Sequence, residues 1–382
     1  MNKPMMKSIA LFTLIFGMSC SSVGTAPPSA LPSTTPGASA SSSASPGPLA
    51  GSTFSMPAER EMVSFYADRG SLIAYQTKDA PPPYDSKIVR AEGPSGSWKL
   101  VYESDAKFMM DRVSGGRIGF IEYRETYQSG GAYSDVFVVV DIASGQKTEI
   151  DRFALSAATY RGGGGGPRRP VGTITLGPDH VAWTRLVEGP GGTVTGELRI
   201  APLADLKASQ IVTTSSEWVL PLDLDSQRLV YVLGGKTEDT LHVREVQSGI
   251  DKVVATGAVG DQQRGEVPGF DYAAVSGVWA VWLDGLKATS PSGHALNLVT
   301  GEERVLRVAG SSCSGVSGGS RYFVWACGRA DVPRDSLIVD AKTLDPVRPV
   351  PADTGVGLIA SDDGLLWFSV PGSGRTVTLF RP

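Results

Sequence analysis

A short apolar run with an aromatic residue near its centre recurs along most of the chain, each time just after a polar turn. Examples are VWAVWLD at 278–284, RLVYVLG at 228–234 and RYFVWAC at 321–327. The aligned aromatic positions are Tyr75, Phe120, Trp183, Tyr231, Trp282, Trp325 and Trp367, and most are 42 to 51 residues apart. Periods of this length indicate a repeat architecture.

The runs are short and rich in Val, Ile, Trp and Tyr, which favours β-strands over helices. Each run is preceded by one apolar strand and followed by two more, as LHVREV and DKVVATG follow RLVYVLG. Four short antiparallel strands per unit, repeated seven times, are typical of a β-propeller. We therefore predict an all-β, seven-bladed β-propeller of four-stranded antiparallel blades, with six blades as the alternative. Because blades stack face to face, each aromatic side chain is expected to pack between neighbouring blades.

The seventh repeat is one strand short, because only TVTLF at 376–380 follows its aromatic run before Pro382. The segment near 53–59 precedes the first strand of the first repeat and can supply the missing outer strand. Such closure removes an exposed sheet edge, which a propeller needs.

The N-terminus has the pattern of an export signal. Lys3 and Lys7 flank the start of an apolar stretch, 9–16, that is too short to span a bilayer but suits a signal-peptide core. The following Gly17-Met18-Ser19-Cys20 resembles the bacterial lipoprotein signal. The resemblance implies a signal peptide at 1–19 and lipid attachment at Cys20, with ordinary cleavage near residues 24–26 and secretion as the alternative.

The segment after Cys20 is composed almost entirely of Ser, Ala, Pro, Gly and Thr, and residues 21–58 include no charged side chain. Such a segment cannot bury enough apolar area to offset its ordering entropy. We predict a disordered tether at 20–52 and the propeller at 53–382. The protein would then be lipid-anchored in the cell envelope, facing the periplasm or the exterior, and would contact the membrane through its lipid alone.

Lipidation of Cys20 would leave one pair of cysteines, Cys313 and Cys327. The midpoint between them is Ser320, in the turn-forming sequence GGS. Folded as a hairpin about that turn, the two cysteines face each other at a separation that a disulfide can close. We predict this disulfide, with two buried free thiols as the alternative.

The repeat phrase G-x-V-A-W, followed by an alternating strand and D-L-x-T-G-E, resembles the TolB-type, WD40-like propeller repeats of cell-envelope proteins. The resemblance covers roughly residues 61–382 and implies a propeller fold.

Histidine occurs only at positions 180, 242 and 294, each inside or at the start of a predicted strand. This distribution does not favour a histidine-based triad or a multi-histidine metal site. The acidic stretches at 222–225 and 362–364 are incomplete as calcium loops, and turn or strand-end chemistry explains them. We therefore expect no cofactor, no metal and no enzymatic activity.

Without residues 1–19 the chain would carry 33 basic and 39 acidic residues, a net charge of −6. This mild acidity argues against a nucleic-acid partner, and we expect a monomer. The longest predicted connections lie on one face of the first three blades and carry Tyr127, Tyr133, Arg168 and Arg169. Since Tyr and Arg supply much of the energy at interfaces, we predict that these four residues bind a protein or saccharide partner in the envelope.

The function expected from these features is a non-catalytic propeller lipoprotein that serves as a protein-interaction or ligand-binding platform. One alternative is a carbohydrate-active or other hydrolytic enzyme that uses carboxylates in the propeller channel. The other is a structural or assembly component of the envelope.

Overall fold

The computed structural model describes residues 50–55, 61–77, 84–93, 97–124, 133–156, 172–258, 272–284, 292–308, 313–327, 336–347, 357–362, 364–369 and 376–381. These residues form 27 β-strands in seven antiparallel sheets, with one 3-10 turn at Pro190–Gly192. Among them, no helix has the length and apolar character that a membrane span requires.

The sheets are the blades of a propeller and are numbered in chain order. Blade 1 contains β2 (Glu61–Asp68), β3 (Ser71–Thr77), β4 (Ser86–Glu92) and β5 (Lys99–Ser104). Blade 2 contains β6 (Lys107–Ser114), β7 (Arg117–Arg124), β8 (Tyr133–Asp141) and β9 (Lys147–Leu155). Blade 3 contains β10 (Thr173–Leu176), β11 (His180–Glu188), β12 (Val194–Pro202) and β13 (Gln210–Ser215).

The remaining blades follow the same order. Blade 4 contains β14 (Val219–Leu224), β15 (Arg228–Gly234), β16 (Glu238–Glu245) and β17 (Asp251–Ala258). Blade 5 contains β18 (Ala273–Ser276), β19 (Trp279–Asp284), β20 (Ser292–Asn297) and β21 (Glu303–Arg307). Blade 6 is described as three strands, β22 (Cys313–Gly318), β23 (Tyr322–Cys327) and β24 (Leu337–Asp340). Blade 7 contains β25 (Gly357–Ser361), β26 (Gly364–Ser369), β27 (Thr376–Arg381) and β1 (Ala50–Ser55).

The first strands of successive blades contact one another around the ring, from β2 and β6 through to β25 and β2, so they surround the axis. The seven-bladed propeller predicted from the repeats is confirmed. The four-stranded prediction holds for six blades in the described part of the chain. In blade 6, the edge of β24 is extended by an isolated antiparallel bridge between Val339 and Pro346, beside which the backbone N–H of Val347 donates to the carbonyl of Ile338 at 2.9 Å.

The hydrophobic core is a set of layers between blades. One layer packs Trp183 of blade 3 against Phe137 of blade 2, and another packs Trp325 of blade 6 against Val281 of blade 5. Of the seven repeated aromatic residues, the six whose burial is described are at most 4 % exposed. Burying a side chain of this size contributes roughly 4 to 6 kcal/mol of transfer free energy. The recurrent aromatic residue is thus the contact that joins one blade to the next.

The turn between the third and fourth strands of a blade has a recurring hydrogen-bond pattern. The Asp141 carboxylate accepts hydrogen bonds from the backbone N–H groups of residues 143 and 144, and the Asn297 amide oxygen does the same for residues 299 and 300. Gly145 and Gly301 follow at φ values of 71° and 76°, where a residue without Cβ has no steric penalty. This geometry explains the recurring Asp or Asn and Thr/Ser-Gly of the repeat phrase.

The ring closes between the two ends of the propeller. Strand β1 pairs antiparallel with β27, from Ala50 opposite Arg381 to Ser55 opposite Thr376. Phe54 is 1 % exposed and packs between blades 7 and 1. The closing strand therefore begins three residues before the predicted segment 53–59, of which residues 56–59 lie outside the described part. The early start has a physical reason, since Ala50, Gly51 and Ser52 pair through their backbones and need no apolar pattern.

Cys313 and Cys327 are directly opposite each other on β22 and β23, and they are joined by a disulfide in the structure. Both are buried in the layer between blades 5 and 6. The bond links the first two strands of blade 6.

We predict that a chain lacking residues 1–49 melts like the full chain, whereas a chain lacking residues 1–60 melts several degrees lower. The reason is that only the second truncation removes β1 and with it Phe54, whose truncation to Ala typically costs about 3 to 5 kcal/mol. Differential scanning calorimetry of both chains measures the effect. Phe54→Ala in the chain 50–382 is the matched control, and equal melting temperatures for the two truncations would refute closure by β1.

Candidate functional site at the axis of the ring

The two faces of the propeller are built from different connections. The turns that join the first to the second strand and the third to the fourth strand of each blade lie on one side, the short-turn face. The connections between the second and third strands and between blades lie on the opposite side, the long-loop face. Residues 69–70, 115–116 and 226–227 are examples of the short turns.

Arg112 crosses the axis near the short-turn face. Its guanidinium, carried by β6 of blade 2, forms an ion pair with the Asp223 carboxylate of β14 in blade 4. Its Nη2 donates to the carbonyl oxygen of Gly318, on β22 of blade 6, at 2.6 Å. Since blades 2, 4 and 6 are not neighbours in the ring, these contacts span the channel and close it at this end.

Asp223 adds a fourth blade to the cluster. Its Oδ2 accepts a hydrogen bond from the backbone N–H of Val275 in blade 5 at 2.9 Å, and its Oδ1 accepts from the N–H of Leu224 at 2.8 Å. The side chain is 1 % exposed. Burial raises the pKa of Asp223 to about 6, because lost hydration outweighs the attraction of the nearby Arg112 guanidinium.

Local backbone irregularities aim these two side chains at the axis. The pairing register shifts between Met110 and Arg112 on β6, and again between Pro221 and Asp223 on β14. A bulge of this kind re-aims the side chain that follows it. At Gly318, a Cβ atom would lie 2.8 Å from the Ala274 side chain, so only glycine allows this close approach.

Further hydrogen bonds join the short turns of different blades. The hydroxyl of Ser114 in blade 2 donates to the Asp362 carboxylate of blade 7 at 2.7 Å, and the hydroxyl of Ser320 in blade 6 donates to the Asp362 carbonyl at 2.7 Å. The Asp68 carboxylate of blade 1 accepts from the backbone N–H of Gly116 in blade 2 at 2.7 Å. The carboxylates of Asp223 and Asp362 therefore hold blades together, which agrees with their interpretation as strand-end and turn residues.

The three histidines occupy strands of different blades. His180 is the first residue of β11, while His242 and His294 lie within β16 and β20. Burial lowers the pKa of His180. His294 stacks on Trp282 at 5.2 Å between ring centroids, and its Nδ1 is 3.3 Å from Glu303 Oε1. In the part of the chain that the structure describes, no three His, Cys, Asp or Glu side chains form a metal-binding group.

His242 belongs to a chain of polar groups that the sequence analysis missed. Its Nε2 is 2.9 Å from the Thr240 hydroxyl, and its Nδ1 is 3.2 Å from the Asp251 carboxylate. The ring stacks on Tyr231, whose hydroxyl also donates to Asp251. A hydroxyl, an imidazole and a carboxylate in this order can relay a proton. The T-x-H spacing on one strand places Thr240 and His242 on the same face, but the contribution of Asp251 depends on the strand register.

The predicted partner-binding residues are not brought together by the described structure. Tyr127, Arg168 and Arg169 lie outside the described residues, as does Cys20, and Tyr133 is the first residue of β8. Their roles in binding and lipid attachment stay predictions.

Comparison with solved structures gives three informative similarities. A prolyl endopeptidase matches with a TM-score of 0.55 at 15% identity, over 81% of this chain but only 46% of that enzyme. An oligogalacturonate lyase in complex with manganese matches with a TM-score of 0.50 at 12% identity, over 88% of this chain and 97% of the lyase. TolB from Acinetobacter baumannii matches with a TM-score of 0.39 at 11% identity, over 81% of this chain and 80% of TolB. No protein-family model and no curated protein sequence matches the chain.

The ring of seven antiparallel sheets confirms the propeller fold that the resemblance to TolB-type repeats implied. The similarities to solved structures also correct the expectation that the chain is not an enzyme, because the first two proteins are enzymes. A fold shared at such low identity assigns no activity. It shows only that proteins with this fold include enzymes, so the expectation of no enzymatic activity is withdrawn.

Proposed function

We propose that this protein is a β-propeller tethered in the cell envelope that recognises a protein or saccharide partner with its long-loop face. The observation that carries the proposal is the closure of the opposite face by Arg112, Asp223 and Gly318 across the axis. Near the axis, the polar groups of that face already bond to one another and have few donors or acceptors left for a large partner. Recognition is therefore assigned to the face where the connections are longest.

The sequence of these connections supports the assignment. The link between β9 and β10, residues 156–172, is long for a connection between blades, and loops of this length are uncommon unless they are functional or disordered. The connection between β7 and β8 spans residues 125–132, so the predicted loop 124–135 includes residues of both strands, Tyr133 among them. The link and the predicted loop together carry the candidate contact residues Tyr127, Tyr133, Arg168 and Arg169. Adjacent arginines favour an acidic partner, because a guanidinium forms paired hydrogen bonds with carboxylate groups.

The envelope location rests on the signal-like segment 1–19 and on Cys20. A lipid on Cys20, followed by a Ser- and Pro-rich tether, would place the propeller at a membrane surface without embedding it. Strand β1 is where that tether would join the ring, at the outer edge of blade 7.

We predict that replacing Tyr127, Tyr133, Arg168 and Arg169 together by Ala abolishes binding of a partner to the long-loop face. The measurement is proximity crosslinking of the intact protein in its native envelope, with captured proteins identified by mass spectrometry and captured saccharides by glycan analysis. The quadruple variant should lose the species that wild type captures, because each Tyr or Arg at an interface centre contributes about 2 kcal/mol or more.

The matched control replaces four exposed residues of the short-turn face, Lys207, Ile250, Lys252 and Lys342, by Ala. This control should capture the same species as wild type. Identical capture by wild type and by a normally melting Tyr/Arg variant would contradict the proposed recognition face.

A second candidate function is hydrolysis of an activated acyl group, and the Thr240, His242 and Asp251 contacts favour it. In this reaction the Thr240 oxygen attacks the acyl carbonyl while its proton passes to His242 Nε2. Asp251 would orient the imidazole and stabilise its charged form, and the protonated imidazole would return the proton to the leaving group. Water would then release the acyl group by the same steps. The channel carboxylates are not used, since Asp223 and Asp362 bond to other blades.

This candidate predicts that the purified chain hydrolyses p-nitrophenyl acetate and that Thr240→Val and His242→Gln each lower kcat/KM about 100-fold or more, the loss usual for a missing general base or its nucleophile. Thr256→Val, an exposed threonine opposite Thr240 on β17, is the matched control and should keep full activity. Absence of turnover by wild type, or retention of turnover by Thr240→Val, would dismiss it.

A further inference from the structure

A cleft of about 270 Å³ lies between blades 2 and 3 at the short-turn face, away from the contacts across the axis. Blade 2 contributes Arg117 and Asp141, together with Gln146 and Thr148 from the turn and strand that follow. Blade 3 contributes Leu203 and Leu206 from the turn after β12. The cleft thus combines two opposite charges and hydrogen-bonding groups with a smaller apolar area at Leu203 and Leu206.

The two charged groups are neighbours that attract each other, but no direct bond between them is recorded. Arg117 and Asp141 are directly opposite on β7 and β8, which places their Cβ atoms about 5 Å apart. Among the described residues, the structure records no hydrogen bond or ion pair for the Arg117 guanidinium, and none between it and Asp141. The guanidinium therefore keeps its donors available at the cleft.

The hydrogen bonds recorded for the Asp141 carboxylate all go to one of its two oxygens. Its Oδ1 accepts from the Ala143 N–H at 3.1 Å, the Ser144 N–H at 2.8 Å and the Ser144 hydroxyl at 2.8 Å. These bonds, the one from the Ser144 backbone above all, lower the pKa of Asp141, so its carboxylate is ionised at neutral pH. In the described part of the chain no hydrogen bond to Oδ2 is recorded, which leaves this oxygen for a ligand cation.

We infer that this cleft binds a small zwitterion, a free α-amino acid with an apolar side chain. A purely anionic ligand would meet the Asp141 carboxylate, and a purely cationic one would meet Arg117. An α-amino acid satisfies both, because its carboxylate can pair with Arg117 while its ammonium group pairs with Asp141. Its apolar side chain would pack against Leu203 and Leu206, while Gln146 and Thr148 would complete the hydrogen bonds.

The size of the cleft agrees with this class of ligand. Pockets for drug-sized molecules usually measure about 300 to 1,000 Å³, so a cleft of about 270 Å³ suits a smaller molecule. Bulky saccharides are disfavoured because the lining side chains include no aromatic ring on which a sugar could stack.

The test is isothermal titration calorimetry of the chain with leucine, leucine amide, 4-methylpentanoate and glucose. Leucine should bind, and the amide and the des-amino acid should each bind about 10- to 100-fold more weakly, since each lacks one charge-assisted contact of about 1.5 to 3 kcal/mol. Equal binding of leucine and 4-methylpentanoate, stronger binding of glucose, or no heat with leucine at millimolar concentration would overturn the inference.

Two variants locate the site. Arg117→Gln and Asp141→Asn should each weaken leucine binding by about tenfold or more. Asp141→Asn keeps the fold, because Asn297 already caps the equivalent turn of blade 5 with its amide oxygen. Arg307→Gln, on the exposed outer strand of blade 5, is the matched control and should bind leucine like wild type. Unchanged binding by both cleft variants would place the ligand elsewhere and refute the assignment.

Discussion

The ion pair between Arg112 and Asp223 joins blades that sequence repetition alone would never bring into contact. Blade-to-blade packing is a nearest-neighbour interaction, and the aromatic layers repeat it around the ring. The axial cluster instead connects blades 2, 4, 5 and 6 through one guanidinium and one buried carboxylate. It spans the channel at the short-turn face, so the two faces of the propeller differ in structure.

The two faces of the propeller differ in which polar groups they leave exposed to a partner. On the short-turn face the polar groups near the axis bond to one another, and the cleft between blades 2 and 3 lies outside that cluster. The long-loop face has the extended connections and is therefore the candidate surface for a partner. The Thr240, His242 and Asp251 chain lies on the outer strands of blade 4, away from the axis. The residues proposed for binding, the polar chain around His242 and the residues that close the ring at the axis are thus separate groups.

The fold could be predicted from the sequence because its determinants are local and repeated. An aromatic residue such as Trp183 or Trp325 lies on the second strand of a blade. Asp141 and Asn297 lie at the turn between the third and fourth strands of their blades. The start of β1 was placed three residues late, since its pairing uses backbone groups without an apolar pattern. Arg112 could not be singled out at all, because its partners are more than a hundred residues away and its direction depends on a bulge. His242 was recognised as a strand residue but not as the centre of a polar chain, because its contact with Asp251 depends on the register between β16 and β17, which shifts between Leu241 and His242.

The most direct test of the axial cluster is a double-mutant cycle with Arg112→Met, Asp223→Asn and the combined variant, measured as free energies of unfolding at pH 8 and pH 4. At pH 8 Arg112→Met should cost about 3 to 5 kcal/mol, because it leaves a buried carboxylate without its partner, and the combined variant should recover most of that loss. The raised pKa of Asp223 means that the folded chain favours the protonated carboxyl. The stabilisation that comes from protonating Asp223 is therefore present at pH 4 and is lost as pH rises through about 6. The coupling between the two positions should accordingly shrink at pH 4. Additive costs at both pH values would contradict the account, because the two residues would then stabilise the ring independently.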